Sequence, residues 1–585
     1  MTANKEEISK ENNQNTSPRP YGKQKYLILA GILLLTILVY SNSIHYQFLS
    51  YDDNFNITQN QDIRDMSARN VKKIFSSTYV SMYVPLTMLT YMIDYKISGL
   101  NPKVFHITSL ILHLLMIVCV FHLLLIFTSR MEIATFSALF FAIHPMNIEP
   151  VLWLSSRGTL LYSFFYLVSL IFYTQYVKKH FQIRYWTLAF IFFILSLLSK
   201  LAAMTLPLIL LLLDYFLERK WDRKIIYDKI PFFILSVAAG IAAIATRGSL
   251  ENLAKTSYSI LHNFFISCYA LDYYLFKFIL PINLSSYNEL PHLVNGFLPI
   301  EYYLSPLPIF AIIGLIYIWR KFSKPAASNF KIIVFGFLLF LIPNFIVMLR
   351  IVPFSNQVVA ERYIYIPYIG LFFLIGYFYV YLVGKKSAYA KKIKFLAMIF
   401  FCLIAVLFSF QSYQRIGVWK NGITFWNDVI KKNPDLAFAY YHRAGSKTEF
   451  KDINGAIADY SRAIEIYPGY ADALVNRGIL KYEQGDNNGA IDDFNGALKI
   501  YPNFADALYN IGNIKLRLKD YAGAIIHYNK TLEVAPGFAL AYFNRGVAKY
   551  QSGNAAGACS DWRTYQQFGN HEMDFGIMIR CMNVK

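Results

Sequence analysis

The chain has 585 residues, of which 56% are hydrophobic, 17% aromatic and only 16% charged, with a formal net charge of +20. A soluble protein carries about 25% charged residues, so an average-composition soluble enzyme, a disordered chain and a disulfide-stapled secreted module are all excluded. The deficit lies almost entirely before about residue 412, where long apolar runs alternate with short polar breaks, the pattern of a multi-pass membrane protein with a polar C-terminal part.

Residues 1–24 are polar and rich in Asn, Glu, Lys and Ser, a disordered cytoplasmic tail by composition. The apolar run 26–46 ends without an A-x-A site and reads as a retained anchor. Further spans are expected near 104–128, 133–149, 159–177, 185–199, 201–217, 230–247, 303–320, 331–350, 362–384 and 395–411. Basic clusters fall between the runs, at Lys178–Arg184, Arg219–Lys224, Arg320–Lys324 and Lys385–Lys392, as in loops that stay on the cytoplasmic side. No basic groove interleaved with aromatics is visible, so the positive charge is assigned to topology and nucleic acid is not an expected partner. The stretch 257–280 holds His262, Asn263, Asp272 and Lys277. If it crossed, the later clusters would lie outside, so it is read as a re-entrant or interfacial helix. Eleven crossings follow, with the N-terminus inside. The all-α membrane bundle then covers 25–411, with an outer loop at 47–103, and delivers a linker helix at 412–434 and the polar tail to the outer side.

The tail repeats. Proline recurs at Pro434, Pro468, Pro502 and Pro536, a spacing of 34 residues. Ala437, Ala471, Ala505 and Ala539 hold one register; Ala456, Ala490, Ala524 and Ala558 hold another, each followed by Tyr460, Phe494, Tyr528 or Trp562. Gly478, Gly512 and Gly546 share a position that Ala444 fills in the first unit. Small residues let paired helices approach and the aromatic fills the gap between them, which is the tetratricopeptide pattern. Four units over 435–570 make an α-solenoid of the kind that binds peptide segments in its concave face, or serves as a spacer, with a tail at 571–585. The five cysteines form no CxxC pair, and a disulfide between Cys559 and Cys581 is left open.

Ionisable residues beside spans mark function by default. The first outer loop opens on Tyr51-Asp52-Asp53-Asn54. Adjacent carboxylates raise one pKa and suit a general base. They also suit a divalent cation, although no complete ligand set accompanies them, and a solvated turn looks the same. His144, Glu149, Trp153 and Arg157 follow at the outer ends of two spans, then Lys200, Arg247, Lys277, Arg350 and Glu361-Arg362-Tyr363. Cations facing two carboxylates point to an anionic ligand such as a lipid-linked phosphate.

In their order these features resemble the transmembrane and tetratricopeptide-repeat O-mannosyltransferases and their bacterial relatives, within the GT-C glycosyltransferases. The matching stretches run from Tyr51–Asn54 through Tyr83–Thr90, Gly99–Pro102 with His106 and His113, His144–Glu149, Trp153–Arg157, Ser199-Lys200 with Thr205–Pro207, Pro281–Ser285 and Glu361–Pro367 to the repeats. The resemblance implies an inverting transfer of a sugar from a polyprenyl-phosphate donor to a Ser or Thr hydroxyl of an exported protein held by the repeats. It maps the catalytic base onto the pair Asp52 and Asp53, and the mechanism expected from that pair has Asp52 accepting the proton with Asp53 assisting. Arg157, Lys200, Arg362 and Arg247 become candidates for the donor phosphate, and His144, Glu149 and Glu361 for support, His144 and Glu149 being equally suited to capping helix ends. Leu201 stands where relatives often carry a polar residue, and Glu361 where they commonly carry Asp. A non-catalytic repeat scaffold and a lipid-linked saccharide transporter are the other readings. Richness in Ile, Lys and Tyr points toward a bacterial inner membrane rather than an endoplasmic reticulum.

Overall fold

The structure, a computed structural model, describes residues 22–80, 82–246, 258–323, 327–349, 357–384 and 390–568. Arg247, Arg350, Lys385, Lys386, Cys581 and most of both expected tails lie outside those residues. Helices dominate throughout. Among the described residues no strand forms, and the only pairings are bridges such as Tyr79 with Met82. The chain divides into two compact units, Met1–Phe425 and Trp426–Lys585. Residues 412–434, expected as one linker helix, are shared among the end of Ala390–Ile416, the turn Gly417–Trp419 and Gly422–Lys432.

Among the described residues of the first unit six helices are long and apolar enough to cross a membrane: Gln24–His45, Pro102–Thr128, Leu154–Lys178, Arg223–Ala242, Ile300–Phe322 and Lys391–Trp419. Met131–Ile143 and Pro145–Leu152, bent by 66°, make a seventh if taken together. Shorter apolar helices, Ile183–Ser199, Leu201–Phe216, Asn329–Asn344 and Tyr368–Val383, fall at the other expected crossings, but lie below the ~20 residues of a full span. Ile260–Ile279 is 20 residues long and carries a capping box at Ser259 and His262, yet it is not among the apolar spans. Exposed side chains such as Leu34, Ile111, Ile234, Phe310 and Leu403 cover the outward faces, as a bundle solvated by lipid requires. Where Ala327–Leu349 meets Tyr368–Val383, a Cβ on Gly370 would run into the Gly336 carbonyl and lie 2.8 Å from the Phe340 nitrogen. Only glycine permits that approach.

Pro145 and Pro150 break the helical ladder after Met131–Ile143. Three short pieces follow, Pro145–Asn147, Glu149–Leu152 and Leu154–Ser156, before Arg157–Lys178 begins. Apart from a half-buried Ser155, residues 144–157 are buried, the condition under which irregular backbone is tolerated at membrane depth. The freed groups are satisfied locally: Asn147 donates to the Phe141 carbonyl at 2.8 Å, and the His144 ring accepts from the Met146 nitrogen.

The second unit stacks helix pairs: Ala437–Glu449 with Ile453–Ile466, Ala471–Glu483 with Asn487–Ile500, Ala505–Arg517 with Tyr521–Val534, and Ala539–Gln551 with Ala555–Gln567. Phe494, Tyr528 and Trp562 press on Gly478, Gly512 and Gly546, where a Cβ would lie within 2.8 Å of each ring. Asp452, Asp486, Asp520 and Asn554 cap the second helix of each pair. A bidentate bridge recurs as Arg443–Asp459, Arg477–Asp493 and Arg545–Asp561. In the third unit Ile511 and His527 take those registers. Cys559 is disulfide-bonded.

Candidate active site

The site grows from the backbone that follows the first span. After the turn Ser41–His45 the chain extends to Leu49, then folds back so that the Leu49 nitrogen donates to Asp53 Oδ2 at 2.9 Å. Asp53 Oδ1 accepts from both the nitrogen (2.8 Å) and the hydroxyl (2.5 Å) of Ser155. The carboxyl group is 1% exposed, and burial pushes its pKa up to about 6 against the pull of those hydrogen bonds. Asp52 is only partly buried. Burial raises its pKa too, and the nearby Arg362 guanidinium lowers it. The two aspartates are therefore inequivalent: one carboxylate is saturated with donors and the other faces a cation. A divalent cation would meet one open carboxylate here, because Asp53 has both oxygens engaged. Among the described residues no three His, Cys, Asp or Glu side chains gather as a metal-holding group.

Arg362 and Glu361 sit in the turn Glu361–Tyr363. Glu149 gathers that turn: its Oε1 pairs with Arg362 at 2.5 Å and its Oε2 accepts from the Glu361 nitrogen at 2.9 Å. Glu361 in turn pairs with Arg415 at 3.2 Å, and Arg415 donates to the Ser286 hydroxyl. The guanidinium of Arg362 lies 4.9 Å from the Trp153 ring, and Tyr51 stacks on Trp153 at 5.8 Å and 19°. Asp52, Asp53, Glu149, Glu361 and Arg362 thus come together from three distant stretches of sequence.

Three expected members make their contacts apart from that group. Arg157 is fully buried; it pairs with Asp94 at 2.5 Å, donates to the Phe105 carbonyl at 2.8 Å and lies 4.6 Å from the Tyr91 ring. Its charge is already paired inside the protein, with Asp94. His144 is likewise buried, its Nε2 3.1 Å from the Phe278 carbonyl and its Nδ1 taken by the Met146 nitrogen; it joins the bent segment to Ile260–Ile279. Lys200 is half-buried and donates to the Thr159 hydroxyl at 2.8 Å. Arg247 lies outside the described residues. The residues that sequence reasoning missed are Ser155, Asp94 and Arg415. Asp94, an acid in an otherwise uncharged stretch from Pro85 to Tyr95, carried a signal; Ser155 lay within the matching stretch Trp153–Arg157, but nothing set it apart from Ser156.

The repeat unit matches family patterns described as "TPR repeat" over residues 480–519 and "Tetratricopeptide repeat" over 505–538. Among curated proteins, a protein O-mannosyl-transferase of Caenorhabditis elegans is 26% identical over 486 residues, covering 78% of this chain and 65% of its own length. Protein O-mannosyl-transferase TMTC3 of Homo sapiens is 21% identical over 477 residues, covering 73% of this chain and 50% of its own. The chain spans between half and two-thirds of the length of these relatives. Among solved structures, one titled "Crystal structure of MamA protein" is 22% identical, covering 26% of this chain and 86% of that one, with a TM-score of 0.24. That of YrrB, titled a TPR protein with an unusual peptide-binding site, is 17% identical, covering 34% and 99%, also at 0.24. Both likenesses are too slight to carry an argument. Across both units, then, the chain is a membrane protein with tetratricopeptide repeats that resembles the TMTC protein O-mannosyl-transferases.

Proposed function

We propose that the protein is an inverting membrane glycosyltransferase of GT-C type that moves a sugar from a polyprenyl-phosphate donor to a Ser or Thr hydroxyl of a polypeptide. The observation that carries the reading is the inequality of the two aspartates: Asp53 is buried under three hydrogen bonds while Asp52 stays partly exposed beside Arg362. A general base needs a carboxylate that the acceptor can reach and that is held in place, and of the pair Asp52 fits this better because it is the less buried and its oxygens are not taken by Ser155 and Leu49. In the proposed step an Asp52 oxygen takes the hydroxyl proton as the acceptor oxygen bonds to the anomeric carbon. The bond from that carbon to the phosphate oxygen breaks, and polyprenyl phosphate leaves with the electron pair. Arg362 and Lys200 are the cations assigned to the leaving phosphate, with Arg247 as a third. Because Glu149 already balances Arg362, stabilisation there depends on how strongly the pair polarises toward the developing charge.

The reading sets the donor's tail in the bilayer and the repeats on the same side as Asp52, raising the local concentration of acceptor polypeptide. A disulfide at Cys559 fits an oxidising compartment such as a periplasm or a lumen. The test is mass spectrometry of exported proteins from cells lacking the protein, complemented with wild type or Asp52→Asn. Hexose on Ser or Thr peptides should return with wild type alone. If Asp52→Asn, inserted at equal level, restores it fully, the proposed base is wrong and a scaffold role accounts for the phenotype.

A further inference from the structure

We propose that Ser155 is a positioning residue for transfer, acting through Asp53 to fix the place of Asp52 relative to Arg362. The inference rests on the reading of Asp52 as base and adds the device that holds it. Asp52 is bracketed by two neighbours, and both are tied to residues 153–155, at the start of the turn Leu154–Ser156. On one side Tyr51 stacks on Trp153. On the other, Asp53 takes two hydrogen bonds from Ser155 on a single oxygen. Arg362 lies over the same indole, 4.9 Å from the ring. Base and cation therefore share a common mount, and their separation is set by that turn more than by either loop.

The mount is itself rigid. The Tyr91 hydroxyl donates to the Leu154 carbonyl at 2.5 Å. Two residues after Ser155, Arg157 is locked to Asp94. At Gly158 a Cβ would lie 3.1 Å from the Thr87 hydroxyl and 3.2 Å from the Ser199 carbonyl, so Pro85–Ser98 and the end of Ile183–Ser199 clamp it from outside. The hydroxyl of Ser155 is the one side-chain donor from this turn to Asp53, and a hydrogen bond to a carboxylate is among the stronger links a side chain makes. Without it the backbone donors of Ser155 and Leu49 remain, and Asp52 keeps its identity but gains freedom.

The experiment uses the full chain in detergent with radiolabelled undecaprenyl-phosphate mannose and a Ser/Thr peptide. Ser155→Ala should lower kcat by roughly 10- to 100-fold, the size of effect a misplacement of about 1 Å produces, with KM for the peptide little changed. Ser155→Thr keeps the hydroxyl and should recover most of the rate. A second measurement needs no turnover. In a chain with Cys119, Cys268 and Cys402 replaced by Ser, Asp52→Cys is labelled by a hydrophilic maleimide, and adding Ser155→Ala should raise the rate several-fold while Ser155→Thr should not. Equal labelling rates in all three backgrounds, or Ser155→Ala with an undiminished kcat, overturn the proposal. If Asp52→Asn proves fully active, the transferase reading falls instead, and the labelling rates still decide whether Ser155 holds position 52.

Discussion

Asp94→Asn removes the counter-charge of a guanidinium that has no exposure. Breaking a buried ion pair by deleting one partner costs ~3–5 kcal/mol, because the other charge stays desolvated. Here the remaining contacts of Arg157, with the Phe105 carbonyl and the face of Tyr91, soften the loss, so the lower end of that range applies. The Thr108 hydroxyl, which donates to Asp94 Oδ1 at 2.7 Å, keeps an acceptor in the amide. Replacing both partners by apolar groups, as in Asp94→Leu with Arg157→Met, should recover most of the loss, since no charge is then stranded. The assay is thermal unfolding of the purified full chain in detergent, followed by fluorescence and size exclusion, together with binding of the donor lipid. The single variant should unfold several degrees lower, the pair much closer to wild type, and the pair should still bind donor. An Asp94→Asn protein as stable as wild type would refute the buried-pair argument. A paired variant that is stable but has lost donor binding would return Arg157 to the phosphate.

Asp53 makes stability depend on pH. Its folded pKa, raised by burial to about 6 from the usual 3.8, means the native state holds the proton more tightly than the unfolded chain. The stabilisation is present in full below about pH 4 and lost as pH rises to about 6, amounting to roughly 3 kcal/mol from two pKa units at ~1.36 each; Asp53→Asn should flatten that part of the melting-temperature curve, and an unchanged slope counts against it. Gly370→Ala should destabilise by ~1–3 kcal/mol, since its Cβ meets the backbone of the facing helix, whereas Gly336→Ala meets only the movable Leu374 side chain and should cost less; thermal unfolding of the two variants ranks them. In the repeats, Asp493→Ala strips Arg477 and Lys481 of their shared carboxylate, and hydrogen exchange in the full chain should speed up in Ala471–Glu483 and Asn487–Ile500 more than in Ala539–Gln551.

The repeats were legible because their information is local and periodic: a 34-residue register of proline, alanine, glycine and aromatic residues states which side chains meet. The apolar helices were legible for a similar reason, since hydropathy summed over a window of about 20 residues is a property of the window. The aspartate pair could be singled out from its place beside a span and Asp52 preferred as its base, but the burial of Asp53 under three hydrogen bonds could not be read. Two of those bonds come from Ser155, 102 residues away, whose backbone and hydroxyl both reach Asp53.

The cations show where such reasoning ends. Arg157 and Arg362 look alike in sequence, each a lone cation at the start of an apolar run. One is paired in the interior because the helix Pro85–Ser98 brings Asp94 to it; the other is paired with Glu149 and lies over Trp153, on which Tyr51 stacks. Composition, hydropathy and period determined by themselves that this chain has a helical membrane body and a helical-hairpin array. Tertiary structure alone decided which carboxylate each cation meets, because pairing in a poorly screening interior depends on separations of a few ångströms between residues far apart in the chain.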